Sequence, residues 1–280
     1  MEAQTIDILT DLVYLKHDDI HLTEKPYKLQ YDPGEGLPRT NCTNQTQGGV
    51  RIRDFRGKEA QFSLERQGFA VHKLASKLSP SDFYDEAKVK KIYYEELKAV
   101  LKADLGATRV EILEHGIRKR HPEFPVSTGE DYQYLQPTSV VHVDFTPEAA
   151  VQESKHVFNA DPKDYRRFQS VNVWKPLYGP VTDWPLALCS AESVDPDRDY
   201  IGSDVVTRTG YTENFQVYYN PDHAWYYLNK QQASEIIVFR QTDTDERFAT
   251  GVPHAGFRNP QADGAERPRE SVEARAFIYY

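Results

Sequence analysis

The chain has 280 residues and a mass of 32.3 kDa, with 43 acidic against 34 basic side chains and a formal net charge of −9. That length supports one substantial core, and a pI of about 5.5 leaves no cationic surplus for a nucleic-acid backbone. A mean hydropathy of −0.69 and short apolar runs such as Ile236-Ile237-Val238-Phe239 exclude the stretch of about 20 residues that a membrane-spanning helix needs.

Met1-Glu2-Ala3-Gln4 lacks a basic segment leading into an apolar one, so no secretory leader is expected. The two cysteines, Cys42 and Cys189, are expected as free thiols in a reducing compartment, which points to a cytoplasmic protein, monomeric or homodimeric. The 18 Tyr, 13 Phe and 3 Trp suit pleated strands and the walls of a small-molecule pocket.

In chain order, residues 6–15 read as a strand and Pro33-Gly34-Glu35-Gly36 as a turn, with residues 41–49 a polar, Gly-rich loop and residues 60–64 a second strand. Ser79-Pro80-Ser81-Asp82 opens a helix over residues 80–104. Val89, Ile92, Tyr93, Leu97 and Val100 recur along it at helical steps, and Gly106 ends it. From residue 108 the pattern becomes eight short strands: 109–113, 139–145, 170–174, 186–189, 215–219, 225–227, 235–239 and 274–279. Eight strands are the number a jelly roll of two facing sheets requires. A helical insertion over 147–168 starts at the Thr146-Pro147 cap. The expectation is a mainly β, double-stranded β-helix in a single domain, 1–280. Residues 1–107 would give N-terminal strands and a flanking helix, and residues 108–280 the jelly-roll core.

His142-Val143-Asp144 carries the chemistry. Residues two apart on a strand share a face, and His254 lies 110 residues beyond Asp144. Two imidazoles and one carboxylate are the donor set that holds non-haem Fe(II) on one face and leaves the other open. Without a third ligand, His142 would be read as a core histidine bonded to Asp144. His121 and His223 are competing ligands, but their Pro-containing surroundings place them in loops. Fifteen residues past His254, Arg269 and Ser271 alternate onto one strand face, suiting a bidentate grip on a carboxylate. Arg275 has the same parity and is the competing anchor. The bland reading pairs these arginines with Glu270, Glu273 and other acids.

The ordered set His142-x-Asp144, His254 and Arg269-x-Ser271 resembles the Fe(II)- and 2-oxoglutarate-dependent dioxygenases, whose fold is the double-stranded β-helix. More narrowly, Asn172-Val173-Trp174-Lys175-Pro176-Leu177-Tyr178-Gly179-Pro180-Val181 followed by Asp183-x-Pro185-Leu186-Ala187 is similar to a stretch of one fungal and bacterial group. That group holds gibberellin desaturase-like proteins and the hydroxylase/desaturase proteins of fungal secondary-metabolite clusters, with a component of the cephamycin methoxylation system. Arg118-x-Arg120-His121-Pro122-Glu123-Phe124, Trp225-Tyr226-Tyr227 and Pro253-His254-Ala255-Gly256-Phe257 match the same group, and the likeness runs over about residues 50–280.

The resemblance implies Fe(II) on His142, Asp144 and His254, with 2-oxoglutarate and O2 as co-substrates. The far carboxylate of 2-oxoglutarate would rest on Arg269 and Ser271, or on Arg275. It further implies release of succinate and CO2 while a small secondary metabolite or precursor is hydroxylated, desaturated or cyclised. Asn172 and Arg120 are candidates for polar contacts with 2-oxoglutarate or substrate, and Trp174, Tyr178 and Trp225 for the pocket wall. Two other readings stand beside this one: a non-catalytic jelly-roll partner subunit, and a cupin-like metal protein that would not need the Arg269/Ser271 pair.

Overall fold

The structure is a computed structural model that describes residues 6–126, 132–262, 264 and 267–280; the N-terminal segment read for a leader lies outside them. Four strands precede the helical segment: β1 (Ile8–Leu15), β2 (Tyr27–Leu29), β3 (Asn44–Asp54) and β4 (Phe69–Lys73). After it come β5 (Arg109–Lys119), β6 (His142–Val143), β7 (Phe168–Pro176), β8 (Leu186–Cys189) and β9 (Tyr200–Val206). The chain closes with β10 (Tyr211–Val217), β11 (Trp225–Tyr227), β12 (Glu235–Asp243), β13 (His254–Gly256) and β14 (Glu270–Tyr279). They form a nine-stranded sheet in the order β1-β3-β11-β8-β13-β6-β10-β9-β2 and a five-stranded sheet in the order β4-β12-β7-β14-β5. Neighbours are antiparallel apart from the pairs β3/β11 and β2/β9. This is the mainly β jelly roll expected. The N-terminal strands are woven into it, since β4 pairs with β12 and β3 with β11.

Alternation along the five-stranded sheet explains where the site lies. Val171, Val173, Ile236, Val238, Val272, Ala274, Ala276 and Ile278 turn to one face and pack with Val89, Tyr93, Leu97 and Leu101 of the helical segment. The period of two sends Asn172, Trp174, Ser271, Glu273 and Arg275 to the opposite face. That face looks at the nine-stranded sheet, and Trp174, Ile237 and Phe239 meet Phe55, Leu186, Leu188 and Val252 across the gap. The polar residues of two fully embedded strands are therefore aimed into the interior.

The helical segment is less regular than expected. A capping box of Ser79 and Asp82 starts a 3₁₀ turn (Pro80–Tyr84), and a π turn (Val89–Tyr93) precedes the α-helix Tyr94–Leu105. Gly106 ends it in the left-handed region at φ 66°. The insertion is the helix Pro147–Phe158, capped by the Thr146 side chain accepting from the Ala149 N–H. No helix among the described residues is long and apolar enough to cross a membrane.

Four expectations are corrected. Residues 41–49 are not a loop throughout, because Asn44 begins β3, which β1 holds by backbone pairing while its side chains stay largely exposed. Residues 60–64 are not a strand; Glu59–Gln61 is a 3₁₀ turn that delivers Phe62 to Phe55, Phe69 and Tyr226. β9 and β13 were not expected, since the half-buried residues of β9 give no apolar alternation and β13 is only three residues long. The strand at 139–145 shrinks to β6, because the Asp144 N–H leaves the ladder and donates to the Gln241 side chain at 2.7 Å.

Candidate metal centre

β13 lies between β8 and β6, and its register puts His254 directly opposite His142. Their ring centroids are 4.3 Å apart. Each ring is held in the same way: His142 Nδ1 lies 2.8 Å from the Val140 carbonyl and His254 Nδ1 lies 3.1 Å from the Val252 carbonyl. A carbonyl only accepts, so each Nδ1 carries the proton and each Nε2 presents a lone pair. Those Nε2 atoms face Asp144, at 3.4 Å from Oδ1 for His142 and 3.7 Å from Oδ2 for His254. One ligand atom from each of the three residues falls within 4.8 Å of the others.

Protonation favours ligation. Burial, with His142 adding to it, pushes His254 down to about 3, so its imidazole is neutral at ordinary pH. Burial opposes the charge on Asp144, yet the Arg275 guanidinium beside it holds its carboxyl well below the usual carboxylate range. Asp144 Oδ1 accepts from Arg275 Nη2 at 2.9 Å and Oδ2 accepts from Asn172 Nδ2. His254 Nε2 is buried with no hydrogen-bond partner. A neutral imidazole, a second imidazole turned the same way and a carboxylate, with one orphaned lone pair among them, fit a divalent cation.

A second constellation lies beside the triad. The Arg269 side chain is buried, donates from Nε to Ser271 Oγ and from Nη1 to the Trp184 carbonyl, both at 3.1 Å, and stacks over Trp174 at 4.9 Å. It makes no ion pair with an acid among the described residues, and burial pushes it down to about 9. Its backbone N–H donates to Asp183 Oδ2 at 3.0 Å, which also accepts from Arg120 Nε at 2.6 Å. Gly256 allows this closeness, because a Cβ there would come within 3.0 Å of Arg269 Nη1. A slot of about 20 Å³ is lined by His142, His254, Trp174, Arg269, Glu273 and Arg118. Next to it a chamber of about 230 Å³ is lined by Glu114, Arg118, Leu135, Glu273 and Arg275 among others.

His142, Asp144, His254, Arg269, Ser271 and Trp174 are thus brought together, while the five other candidates are engaged by protein groups. Asn172 and Arg275 both hold Asp144, and Arg275 also pairs with Glu114. Arg120 is engaged by Asp183 and by the carbonyls of His121 and Pro122. Tyr178 lies under Arg267 and lines a different cavity of about 250 Å³. Trp225 is not on the wall of the site: it is buried with Cys189 and donates Nε1 to the Tyr14 hydroxyl at 3.0 Å, so a packing role replaces the substrate contact expected of it. Sequence reasoning missed Gln241 and the inward aim of Glu273. The parity of Glu273 with Arg269, Ser271 and Arg275 was a readable signal; Gln241 had none.

Comparison with known proteins agrees with this geometry. A family model described as an oxidoreductase/YMDC permease-like domain matches residues 12–279. The chain is 32% identical to the alpha-ketoglutarate-dependent dioxygenase phiK of a fungal species (strain ATCC 74256), over 82% of this chain and 83% of that protein. It is 31% identical to the hydroxylase/desaturase efuI of Hormonema carpetanum over the same shares.

The chain belongs to the Fe(II)/2-oxoglutarate-dependent dioxygenases.

This dioxygenase is also 26% identical to the Fe(II)/2-oxoglutarate-dependent dioxygenase nvfI of Aspergillus novofumigatus, over 96% of both chains. It superposes on the iron and alpha-ketoglutarate-dependent endoperoxidase NvfI with a TM-score of 0.84 at 25% identity, covering 98% of each chain. As a dioxygenase it uses Fe(II), 2-oxoglutarate and O2, and its His-Asp-His cluster supplies a matching donor set. Nothing in the comparisons favours the non-catalytic subunit.

Proposed function

We propose that His142, Asp144 and His254 hold the Fe(II), and that Arg269 with Ser271 takes the distal carboxylate of 2-oxoglutarate. The observation that carries this is a buried guanidinium with no acid partner among the described residues, in the slot that also holds the two imidazoles. An unpaired buried cation is costly unless an anion arrives to meet it. Arg275 is the weaker anchor, since Asp144 and Glu114 already engage it.

When bound, iron and 2-oxoglutarate with O2 supply the oxidation of a substrate C–H bond, coupled to decarboxylation to succinate and CO2. The protein's own groups bind and orient. Asn172 and Arg275 hold the Asp144 carboxylate against rotation, Trp174 gives Arg269 a flat surface to stack on, and Ser271 orients its fork. The neighbouring chamber receives the substrate, with Leu135 on its rim and the Glu273 carboxylate on the wall shared with the slot.

The substrate is a small secondary metabolite or precursor. The hydroxylase/desaturase and endoperoxidase names of the relatives support a C–H oxidation whose outcome, hydroxyl, double bond or ring, follows from substrate placement. The enzyme works in the cytoplasm as a monomer or homodimer. Purified anaerobically, it should bind one Fe(II) per chain and develop a weak visible band only when 2-oxoglutarate is added. Succinate release against a panel of candidate metabolites then identifies the substrate. Iron binding without that band would sink the 2-oxoglutarate assignment.

A further inference from the structure

His142 and His254 lie on the nine-stranded sheet and Asp144 just past β6, yet Asp144 and His254 are both tied to one irregularity in the other sheet. β12 pairs regularly with β7 up to Arg240↔Val171 and resumes at Thr242↔Ser170, which leaves Gln241 without a partner on β7. Around this bulge the chain reaches across the gap between the sheets. Gln241 Oε1 accepts from the Asp144 N–H at 2.7 Å. The Arg240 carbonyl accepts from the Val252 N–H at 2.9 Å, and Arg240 Nε donates to the Thr250 carbonyl at 2.9 Å. Val252 is the residue whose carbonyl holds His254 Nδ1. Between the two contacts lies Gly251. A Cβ there would fall 2.5 Å from the Gln241 carbonyl oxygen and 2.7 Å from Val143 Cγ1, so glycine permits the segment before β13 to approach β12 and β6 this closely.

We propose that the β12 bulge is the device that sets the span between Asp144 and His254, with Gln241 as the positioning residue for Asp144. The amide suits that task. It offers an acceptor to a backbone N–H that has left the β ladder, and it adds no charge beside a carboxylate already held by Arg275 and Asn172. Gln241 Nε2 is buried with no partner, a cost that leucine or methionine of similar volume would avoid. The side chain therefore serves its acceptor oxygen rather than packing. Groups that orient a ligand in this way influence metal affinity by about 10–100-fold.

This inference rests on the reading of Asp144 and His254 as metal ligands, and the test separates the two. Metal-free wild type, Gln241→Met and Ile237→Val are titrated with Co(II) and followed by visible absorption, with thermal unfolding of each metal-free protein alongside. Ile237 is buried in the same strand, four residues before Gln241, and its apolar side chain can make no hydrogen bond to Asp144, so it reports the effect of a general loss of packing. The expected result is a Kd for Co(II) raised about tenfold or more in Gln241→Met, with a shifted cobalt spectrum, while Ile237→Val keeps the wild-type Kd. A Gln241→Met Kd within twofold of wild type overturns the positioning role. Failure of the wild type to bind Co(II) overturns the metal assignment itself. Should Gln241→Met not fold, Gln241→Asn, whose amide is one methylene short, is expected to weaken binding too, and an unchanged Kd there is equally decisive.

Discussion

His142 and His254 stand opposite one another on adjacent strands, and each turns Nδ1 to the carbonyl two residues before it. This shared arrangement points both Nε2 atoms at Asp144 before any ion arrives. The proposed ligand set is pre-oriented by backbone groups, so little side-chain freedom would be lost on binding.

His254 also ties stability to pH. Burial lowers its folded pKa from the ordinary 6.5 to about 3, so the unfolded chain takes up the proton first. Between those two values the unfolded state binds more protons, and folding stability falls as pH falls. His115 and His223, also pushed down by burial, act in the same direction. Urea unfolding of metal-free protein is expected to show stability dropping from pH 7 to pH 4, with a shallower slope in His254→Asn. An identical slope in the two proteins would refute this account of His254.

Asp144→Asn keeps the shape of the side chain and removes its charge. It is expected to weaken Co(II) or Fe(II) binding by more than the about 10–100-fold that loss of a ligand's neighbour causes, and to abolish the visible band with 2-oxoglutarate. Metal titration with anaerobic absorption checks both. Survival of metal and co-substrate binding would show that Asp144 is not a ligand.

Arg269→Leu separates ligand binding from stability. Because the guanidinium is buried without an acid partner among the described residues, an apolar replacement of similar bulk should leave the metal-free melting temperature unchanged or raise it. The same change should weaken 2-oxoglutarate by about 30-fold or more, the effect of truncating one side of a buried charge pair worth about 2–5 kcal/mol. Melting curves and a 2-oxoglutarate titration of the Fe(II) protein measure the two effects. A lowered melting temperature with unchanged 2-oxoglutarate affinity would mark Arg269 as a structural arginine.

Asp183→Asn tests how Arg269 is placed. Asp183 accepts from the Arg269 backbone and from Arg120. Loss of that charge is expected to raise the KM for 2-oxoglutarate about tenfold while kcat changes little, in line with about 1.5–3 kcal/mol for hydrogen bonds to charged groups. A fall in kcat at constant KM would place Asp183 elsewhere in the mechanism.

The sequence by itself singled out the proposed ligand residues and the wall that faces them. The His142-x-Asp144 spacing and the parity of Arg269, Ser271 and Arg275 are properties of an extended chain, whose side chains alternate whatever lies around them. The long helical segment, its cap and its stop at Gly106 were legible for the same reason, because 3.6-residue periodicity and capping chemistry are local. Only the tertiary structure decided which partner each of these side chains meets. It placed Arg275 and Asn172 on Asp144 rather than free for a ligand, left Arg269 without an acid among the described residues, and buried Trp225 against Tyr14. It also decided the Gln241 bulge and the β3 strand. Both depend on backbone pairing between segments far apart in the chain, and hydrogen bonding of the main chain leaves no mark on the pattern of side chains.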